Sequence, residues 1–480
     1  MPLKRVKSFK RIEMKNKKLF VLLPDGVGFR NFAYSSFYKL AVKDGFDVVF
    51  WNATSFPLSE LGFPEIKINS LKLHPLTDIY KKAKVQVELN LSIQRANDKV
   101  YDSYRFPFSY SAVMQATKSV AVTLLTAANS SESGWLRIRN RIKKQERKTA
   151  YYQHCLETLQ KEKPSIVFCT NQRHINTLAP LLAANELGIP TATFIFSWDN
   201  LPKATLVVEA DYYFVWSDHM KKELQYYYPY IQSEQIFVTG SPQFELHFNK
   251  DILLSREVFF NKHHLDIAKK YVCFSGNDVT TSPDDPLYLE DIAKAVRTLN
   301  TTENSQLGVI FRKCPVDFSN RYDSVLKKYA KEIVAIDPLW KPLSTTWNSI
   351  FPTQEDNVLL NNIAEFSEMV ITIGSSTIFD FISHKKPCGY LKYNQEKQLD
   401  TAWDVYTCYN YVHFRSMPQE SPVFWINGAD EMASKIKEVV FGDKENVLAN
   451  AQEWFETINL HPVNEASARM VTVINKIVNN

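Results

Sequence analysis

Short apolar runs separated by amphipathic stretches recur along most of this chain, and no other feature limits its possible folds as strongly. Such alternation argues for parallel strands joined by helices. Lys18–Pro24 reads as a first strand, Asn31–Lys43 as a helix closed by Asp44-Gly45, and Phe46–Trp51 as a second strand. Between about 57 and 160 the alternation stops, and Leu76 through Ala150 is polar, rich in Tyr and Phe and helical in character, without assignable elements. It resumes with strands at Ser165–Thr170, Thr191–Trp198, Asp211–Trp216 and Ile236–Thr239, and helices at Ile175–Leu187 and His219–Tyr227, the latter capped by Ser217. A second series follows a charged stretch near 250–270. Its strands are Tyr271–Phe274, Leu307–Phe311, Ile333–Ile336, Met369–Ile373 and Cys388–Leu391. Its helices are Leu289–Leu299, Tyr322–Lys331, Asn357–Phe366 and Ile378–His384, and three more close the chain at Asp430–Val440, Glu445–Ile458 and Asn464–Val478.

A chain of 480 residues has room for two domains or more. The expected fold is α/β, with two Rossmann-like parallel-sheet domains facing across a cleft. The expected parts are a basic segment at 1–18, an N-terminal domain at 19–250 with a basic helical insertion at about 75–150, a C-terminal domain at 251–460, and a last helix at 461–480. The six cysteines include no close pair, so a disulfide framework and a CxxC zinc knuckle are unsupported and a reducing compartment is the simpler reading. Leu19–Leu23 is too short for the core of a signal peptide, and runs such as Leu178–Ala184 fall far below the ~18–20 residues of a membrane span.

The net charge of +5 is unevenly placed. Residues 1–18 carry +7 and residues 135–148 carry +6, leaving −8 for the remainder. The two patches therefore need a partner, and the whole chain does not. If 135–148 is helical, Trp135, Ile138 and Ile142 share one face, as in an interfacial helix on an anionic membrane; a helix packed within the protein has the same pattern. Nucleic acid fits less well, because the rest of the chain is acidic.

Candidate chemistry lies at strand ends. Met369–Ile373 runs into Gly374, Ser375, Ser376 and Thr377, at the first turn of the next helix. Free backbone N–H groups and the positive end of the helix dipole suit a phosphate there, although ordinary capping uses the same residues. Arg312 and Lys313 end another strand, where open α/β sheets bind ligands, and suit a diphosphate. Ser275 and Asn277 sit in a turn after the strand at 271–274. In the first half, Asp199 ends a strand beside Trp198, whose indole can stack on a ring, and is a candidate general base; a loop hydrogen bond is the alternative. Asp25-Gly-Val-Gly28 follows the first strand without forming a dinucleotide fingerprint. His74, His154, His174 and His413 are scattered without metal-ligand spacing, and Asp284-Asp285 is a poor metal site. With only 13 glycines, phosphate binding must rest on serine-lined helix starts and cations.

Two α/β halves, Val238-Thr-Gly-Ser-Pro242 at their junction, a basic strand end followed by Pro315, and the Gly374-Ser-Ser-Thr377 turn together resemble GT-B glycosyltransferases. The likeness is to the branch that builds bacterial surface polysaccharides, capsule and lipopolysaccharide, and extends to CDP-glycerol glycerophosphotransferases. Ser197-Trp-Asp-Asn-Leu201 is similar to a segment of such enzymes, and the likeness covers roughly residues 160–395 plus the first two strands. It implies a nucleotide-sugar donor held at Ser375, Ser376, Thr377, Arg312 and Lys313, a glycan or glycolipid acceptor near Asp25 and Asp199, and no metal or other cofactor. It also implies a cytoplasmic enzyme, peripheral on the inner face of the membrane, with residues 1–18 and 135–148 as the expected contacts with its anionic surface. A nucleotide-sugar 2-epimerase or a non-catalytic scaffold of an assembly complex are the competing readings. Related enzymes often carry His-Pro where this chain has Cys314-Pro315, so that histidine's role has no counterpart.

Overall fold

The structure is a computed structural model that describes residues 17–69, 72–108, 110–342 and 350–479. The basic segment 1–18 therefore lies outside the described residues except for Lys17 and Lys18, which open the first strand.

Seven parallel strands form the first sheet: β1 (Lys17–Leu23), β2 (Phe46–Asn52), β3 (Glu65–Lys67), β4 (Ile166–Cys169), β5 (Thr191–Phe194), β6 (Tyr212–Val215) and β7 (Ile236–Val238). Their spatial order is β3-β2-β1-β4-β5-β6-β7. Leu19–Leu23 and all of β4 are fully buried, which is what a parallel sheet covered on both faces requires and why these strands read as continuous apolar runs. The second sheet contains β8 (Lys270–Ser275), β9 (Leu307–Arg312), β10 (Ile333–Ala335), β13 (Ser367–Thr372), β14 (Cys388–Leu391) and β15 (Phe424–Ile426), all parallel, in the order β10-β9-β8-β13-β14-β15. A short antiparallel ribbon, β11 (Lys341–Pro342) with β12 (Ile350–Phe351), stands apart. The expected α/β fold of two parallel-sheet halves is thus the observed one.

Each sheet reverses its strand order once, between β1 and β4 and between β8 and β13. The crevice outside the carboxyl ends of the strands at such a reversal is where open α/β sheets hold ligands. Asp25 and Asn171 flank the first reversal; Ser275 and Gly374 flank the second.

Three features differ from expectation. The helix expected at Asn31–Lys43 is two, Gly26–Ala33 and Phe37–Lys43. The break has a distant cause: the Ser36 N–H and hydroxyl both donate to Glu245 Oε2, at 3.1 and 2.6 Å, and Phe37 N–H donates to Ser35 Oγ. The unassigned stretch holds the helices Thr77–Ala96, Val113–Ala127, Glu132–Glu146 and Ala150–Glu162. Finally, the apolar face of 135–148 is consumed inside the protein. Trp135, Ile138 and Ile142 are buried, and the Trp135 indole donates to Glu88 Oε1 at 2.7 Å. Arg139 stacks on the Tyr230 ring at 3.6 Å, and Arg139 and Lys143 both pair with Glu209 at 2.6 Å. To solvent this helix shows Arg137, Arg141 and Lys144, with Leu136 as its one exposed large apolar side chain, so it lacks the continuous apolar face an interfacial helix needs.

The last helix, Ala466–Asn479, returns to the first half and packs on Phe37–Lys43. Lys17 Nζ donates to Asn475 Oδ1 at 2.7 Å, Arg469 Nε to the Thr239 carbonyl at 2.8 Å, and Ser467 N–H to Glu245 Oε1 at 2.5 Å.

Candidate active site

At the first reversal, Asp25 caps the helix Gly26–Ala33 by accepting the Gly28 N–H at 2.8 Å. Its other oxygen accepts Asn171 Nδ2 at 2.7 Å and lies 3.3 Å from His174 Nε2. A carboxylate in that position favours the imidazole tautomer with its proton on Nε2, leaving the Nδ1 lone pair free. Burial pushes the His174 pKa below its ordinary value, the neighbouring Arg173 and Lys81 push the same way, and Asp25 opposes them. The imidazole is therefore neutral at neutral pH, as a proton acceptor must be. Two glycines make this geometry possible: a Cβ on Gly28 would lie 2.4 Å from Thr170 Oγ1, and one on Gly26 would lie 2.7 Å from the Ile350 carbonyl of the second half.

His174 faces a cavity of about 930 Å³ between the carboxyl ends of the first sheet and the inserted helices, which Lys203 also lines. Lys203 pairs with Asp199. Burial alone would raise the Asp199 pKa, but the Lys203 ammonium prevails and holds it well below the usual carboxylate range. A carboxylate held that way is a weak proton acceptor. Trp198 is not open for stacking either. It is buried, its indole N–H donates to Ser376 Oγ at 2.8 Å, and its ring meets Phe379, His413 and Trp454 edge-on. This segment joins the two halves; it does not offer a ring platform. His413 beside it is pushed down to about 3 by burial and is neutral.

The second reversal gathers every donor-side residue expected from the sequence. Ser275 pairs in register with Arg312, Gly276 N–H donates to the Arg312 carbonyl at 2.9 Å, and Thr372 Oγ1 donates to the Ser275 carbonyl at 2.9 Å. Gly374, at φ +54, then turns the chain into Ser375, Ser376 and Thr377. Much of the hydrogen-bonding capacity there is already used: Ser375 and Thr377 hydroxyls meet at 2.8 Å, Thr377 N–H donates to Ser375 Oγ, and Ser376 takes the indole. Arg312 is split in its duties. Nη2 is bidentate to Asp356 at 2.8 and 2.9 Å, while Nη1 is buried without a partner. Asn277 Nδ2 is likewise buried and unpartnered, and among the described residues Lys313 makes no ion pair.

Sequence reasoning set His174 aside as one of four scattered histidines and did not single out Arg30. His174 stands four positions beyond the end of the expected strand Ser165–Thr170, a place that marks strand-end chemistry. Arg30 lies on the first helix, within the fields of Asp380, Asp356, Arg312 and Asp25, which places it between the two halves. Burial lowers its pKa, the nearby Arg312 charge lowers it too, and no carboxylate pairs with it among the described residues. A half-buried guanidinium that donates to Asn31 Oδ1 at 3.1 Å and makes no ion pair among the described residues, beside a second one with an unused N–H, is a place for an anion. Among the described residues, no group of three or more His, Cys, Asp or Glu side chains is arranged to hold a metal ion.

No family model matches this chain, and no curated protein matches it in sequence. Solved structures do. S. aureus MnaA with UDP aligns over 96% of this chain and 97% of its own, at 16% identity and TM-score 0.53. A UDP-N-acetylglucosamine 2-epimerase described for Listeria monocytogenes aligns over 96% of both chains, at 11% and 0.54. A glycosyltransferase from Rickettsia africae aligns over 97% of this chain and 99% of its own, at 12% and 0.51. Identities this low establish a common GT-B-like fold and no more.

Proposed function

We propose that this protein is a glycosyltransferase that moves a sugar from a nucleotide-activated donor to a glycan or glycolipid hydroxyl. The observation that supports this reading best is the Asp25–His174 pair opening on a roomy first-half cavity, separate from the cations Arg30, Arg312 and Lys313. A chamber of about 930 Å³ beside His174 has room for an acceptor, which an enzyme that rearranges one nucleotide sugar does not bind.

In this scheme the donor diphosphate lies against Arg30, Lys313 and the free Nη1 of Arg312, with Asn277 Nδ2 as a further donor. The acceptor hydroxyl gives its proton to His174 Nδ1, and its oxygen bonds to the anomeric carbon. The bond from that carbon to the phosphate oxygen breaks, with its electron pair leaving on the nucleoside diphosphate. Asp25 steadies the imidazolium that forms, and the cations steady the charge that develops on the leaving group. They take the part a divalent metal plays in other sugar transferases, so a chelator is expected to leave turnover unchanged. The serine-lined turn at Ser375–Thr377 positions the phosphates in this scheme, and Asp199 with Lys203 shapes the acceptor cavity. Surface polysaccharide synthesis, and kinship with glycerophosphotransferases, belong to the same proposal.

The test is donor-dependent transfer. His174→Ala is expected to lower kcat by about 10²–10⁴-fold with little change in donor affinity, as loss of a general base does; an unchanged kcat would remove His174 from the mechanism. A 2-epimerase is the second reading, supported by the neighbour from L. monocytogenes. It is separated by incubation with nucleotide sugar alone, since epimerisation needs no acceptor. Binding of partners with no turnover on any donor would support a scaffold.

A further inference from the structure

The most exposed large apolar side chains of the described residues are concentrated in one short stretch. Phe106 is 85% exposed, Val113 86% and Met114 70%, and Tyr110, Val120 and Leu124 are between 51 and 65% exposed. On the helix Val113–Ala127, the residues Val113, Thr117, Val120 and Leu124 fall at spacings of four, three and four and so share one face. Ser119 and Val122 are buried on the other side. The outward face carries no charge; Lys118 is the helix's one ionisable residue, and it lines the cavity.

That cavity, about 930 Å³, lies directly behind the apolar face and is cationic. Lys81, Lys118 and Arg173 line it, and among the described residues none of the three forms an ion pair; the acidic residue of the lining, Asp78, is taken by Lys82. The lysines next to Lys81 are paired, Lys82 with Asp78 at 3.0 Å and Lys84 with Glu88 at 2.6 Å. An uncharged apolar ridge in front of a pocket of unneutralised cations is complementary to an amphiphile with an anionic head and a hydrocarbon tail.

We propose that this face docks on an anionic bilayer. The ridge formed by Phe106, Val113, Val120 and Leu124 enters the acyl boundary, and a phospholipid phosphate sits in the cavity between Lys81, Lys118 and Arg173. The membrane contact expected at 135–148 is thereby moved to a different helix. The proposal deepens the acceptor side of the function above and rests on that reading for its purpose. Its test reads binding and not turnover, so either can fail while the other stands.

The full chain is sedimented with vesicles of phosphatidylcholine containing one-third phosphatidylglycerol, and with phosphatidylcholine alone. Binding is expected to the anionic vesicles, weakened at least tenfold by Val113→Ser/Leu124→Ser and by Lys81→Gln/Lys118→Gln. Charge reversal at Arg137, Arg141 and Lys144 is expected to change it less than twofold. In the wild-type chain, anionic vesicles are expected to slow amide exchange across 106–124, a readout that needs no variant to fold. Absence of binding, unchanged exchange at 106–124, or binding that follows the 135–148 charges would each overturn the proposal. So would stabilisation by millimolar inorganic phosphate without any vesicle binding, which would assign the cations to a small anion.

Discussion

An imidazole accepts a proton only in its neutral form, and burial pushes the His174 pKa below its ordinary value of 6.5. The base form therefore persists through neutral pH and is lost only as pH falls through the lowered value. We expect kcat/KM to be flat from about pH 7 upward until another group titrates, and to fall on an acid limb centred below the ordinary histidine value. Asp25→Asn removes the charge that favours the imidazolium, so it should shift that limb further down while also lowering the plateau. A pH–rate profile of both proteins checks this; a limb above the ordinary histidine value would contradict it. Asp25 was legible in the sequence because it directly ends a strand. His174 was not, because its partner is brought to it by the adjacency of β1 and β4, which no local pattern records. Asp199 shows the opposite failure: its place at a strand end is what a general base needs, but Lys203 four residues later takes its basicity away.

Amphipathic helices are ambiguous at the scale of the element. An apolar stripe on a basic helix looks the same whether it faces lipid or a neighbouring helix, and Glu132–Glu146 turns its stripe inward. Ile138→Ala and Ile142→Ala are each expected to cost about 2–5 kcal/mol, read by urea denaturation; unchanged midpoints would place that stripe outside the core. The strands of long apolar runs were legible, because fully buried parallel strands write themselves as continuous hydrophobic stretches. Of the four three-residue edge strands, β7 and β10 were legible as short apolar runs, whereas β3, Glu-Ile-Lys, carries a single apolar residue, and β15 was not recognised. The break between Gly26–Ala33 and Phe37–Lys43 was invisible for another reason, since Glu245 imposes it from far along the chain.

Two sheets with matching strand-order reversals account for how the whole molecule brings its chemistry together. Proton acceptance is proposed at one reversal and phosphate binding at the other, with Arg30 between them. Trp198 crosses from the first half to Ser376, and the helix Ala466–Asn479 crosses back from the end of the chain. Trp198→Phe keeps the aromatic packing and deletes the indole donor; it is expected to cost about 1 kcal/mol and to raise donor KM more than it lowers kcat. Thermal unfolding and donor titration check it, and a kcat loss with unaltered KM would place Trp198 elsewhere in the reaction. The fold at this scale was legible from the alternation of strands and helices alone, whereas the returning helix leaves no mark in local sequence. The most direct test of glycosyl transfer is proton NMR of nucleotide sugars, UDP-, GDP- and CDP-linked in turn, incubated with the enzyme with and without a glycolipid extract. Transfer predicts that with one of them the sugar–phosphate bond is cleaved and the nucleoside diphosphate accumulates when the extract is present, with the C2 configuration retained and the signal lost in His174→Ala. Inversion at C2 in the absence of any acceptor, or no nucleoside diphosphate release from any donor, would contradict it.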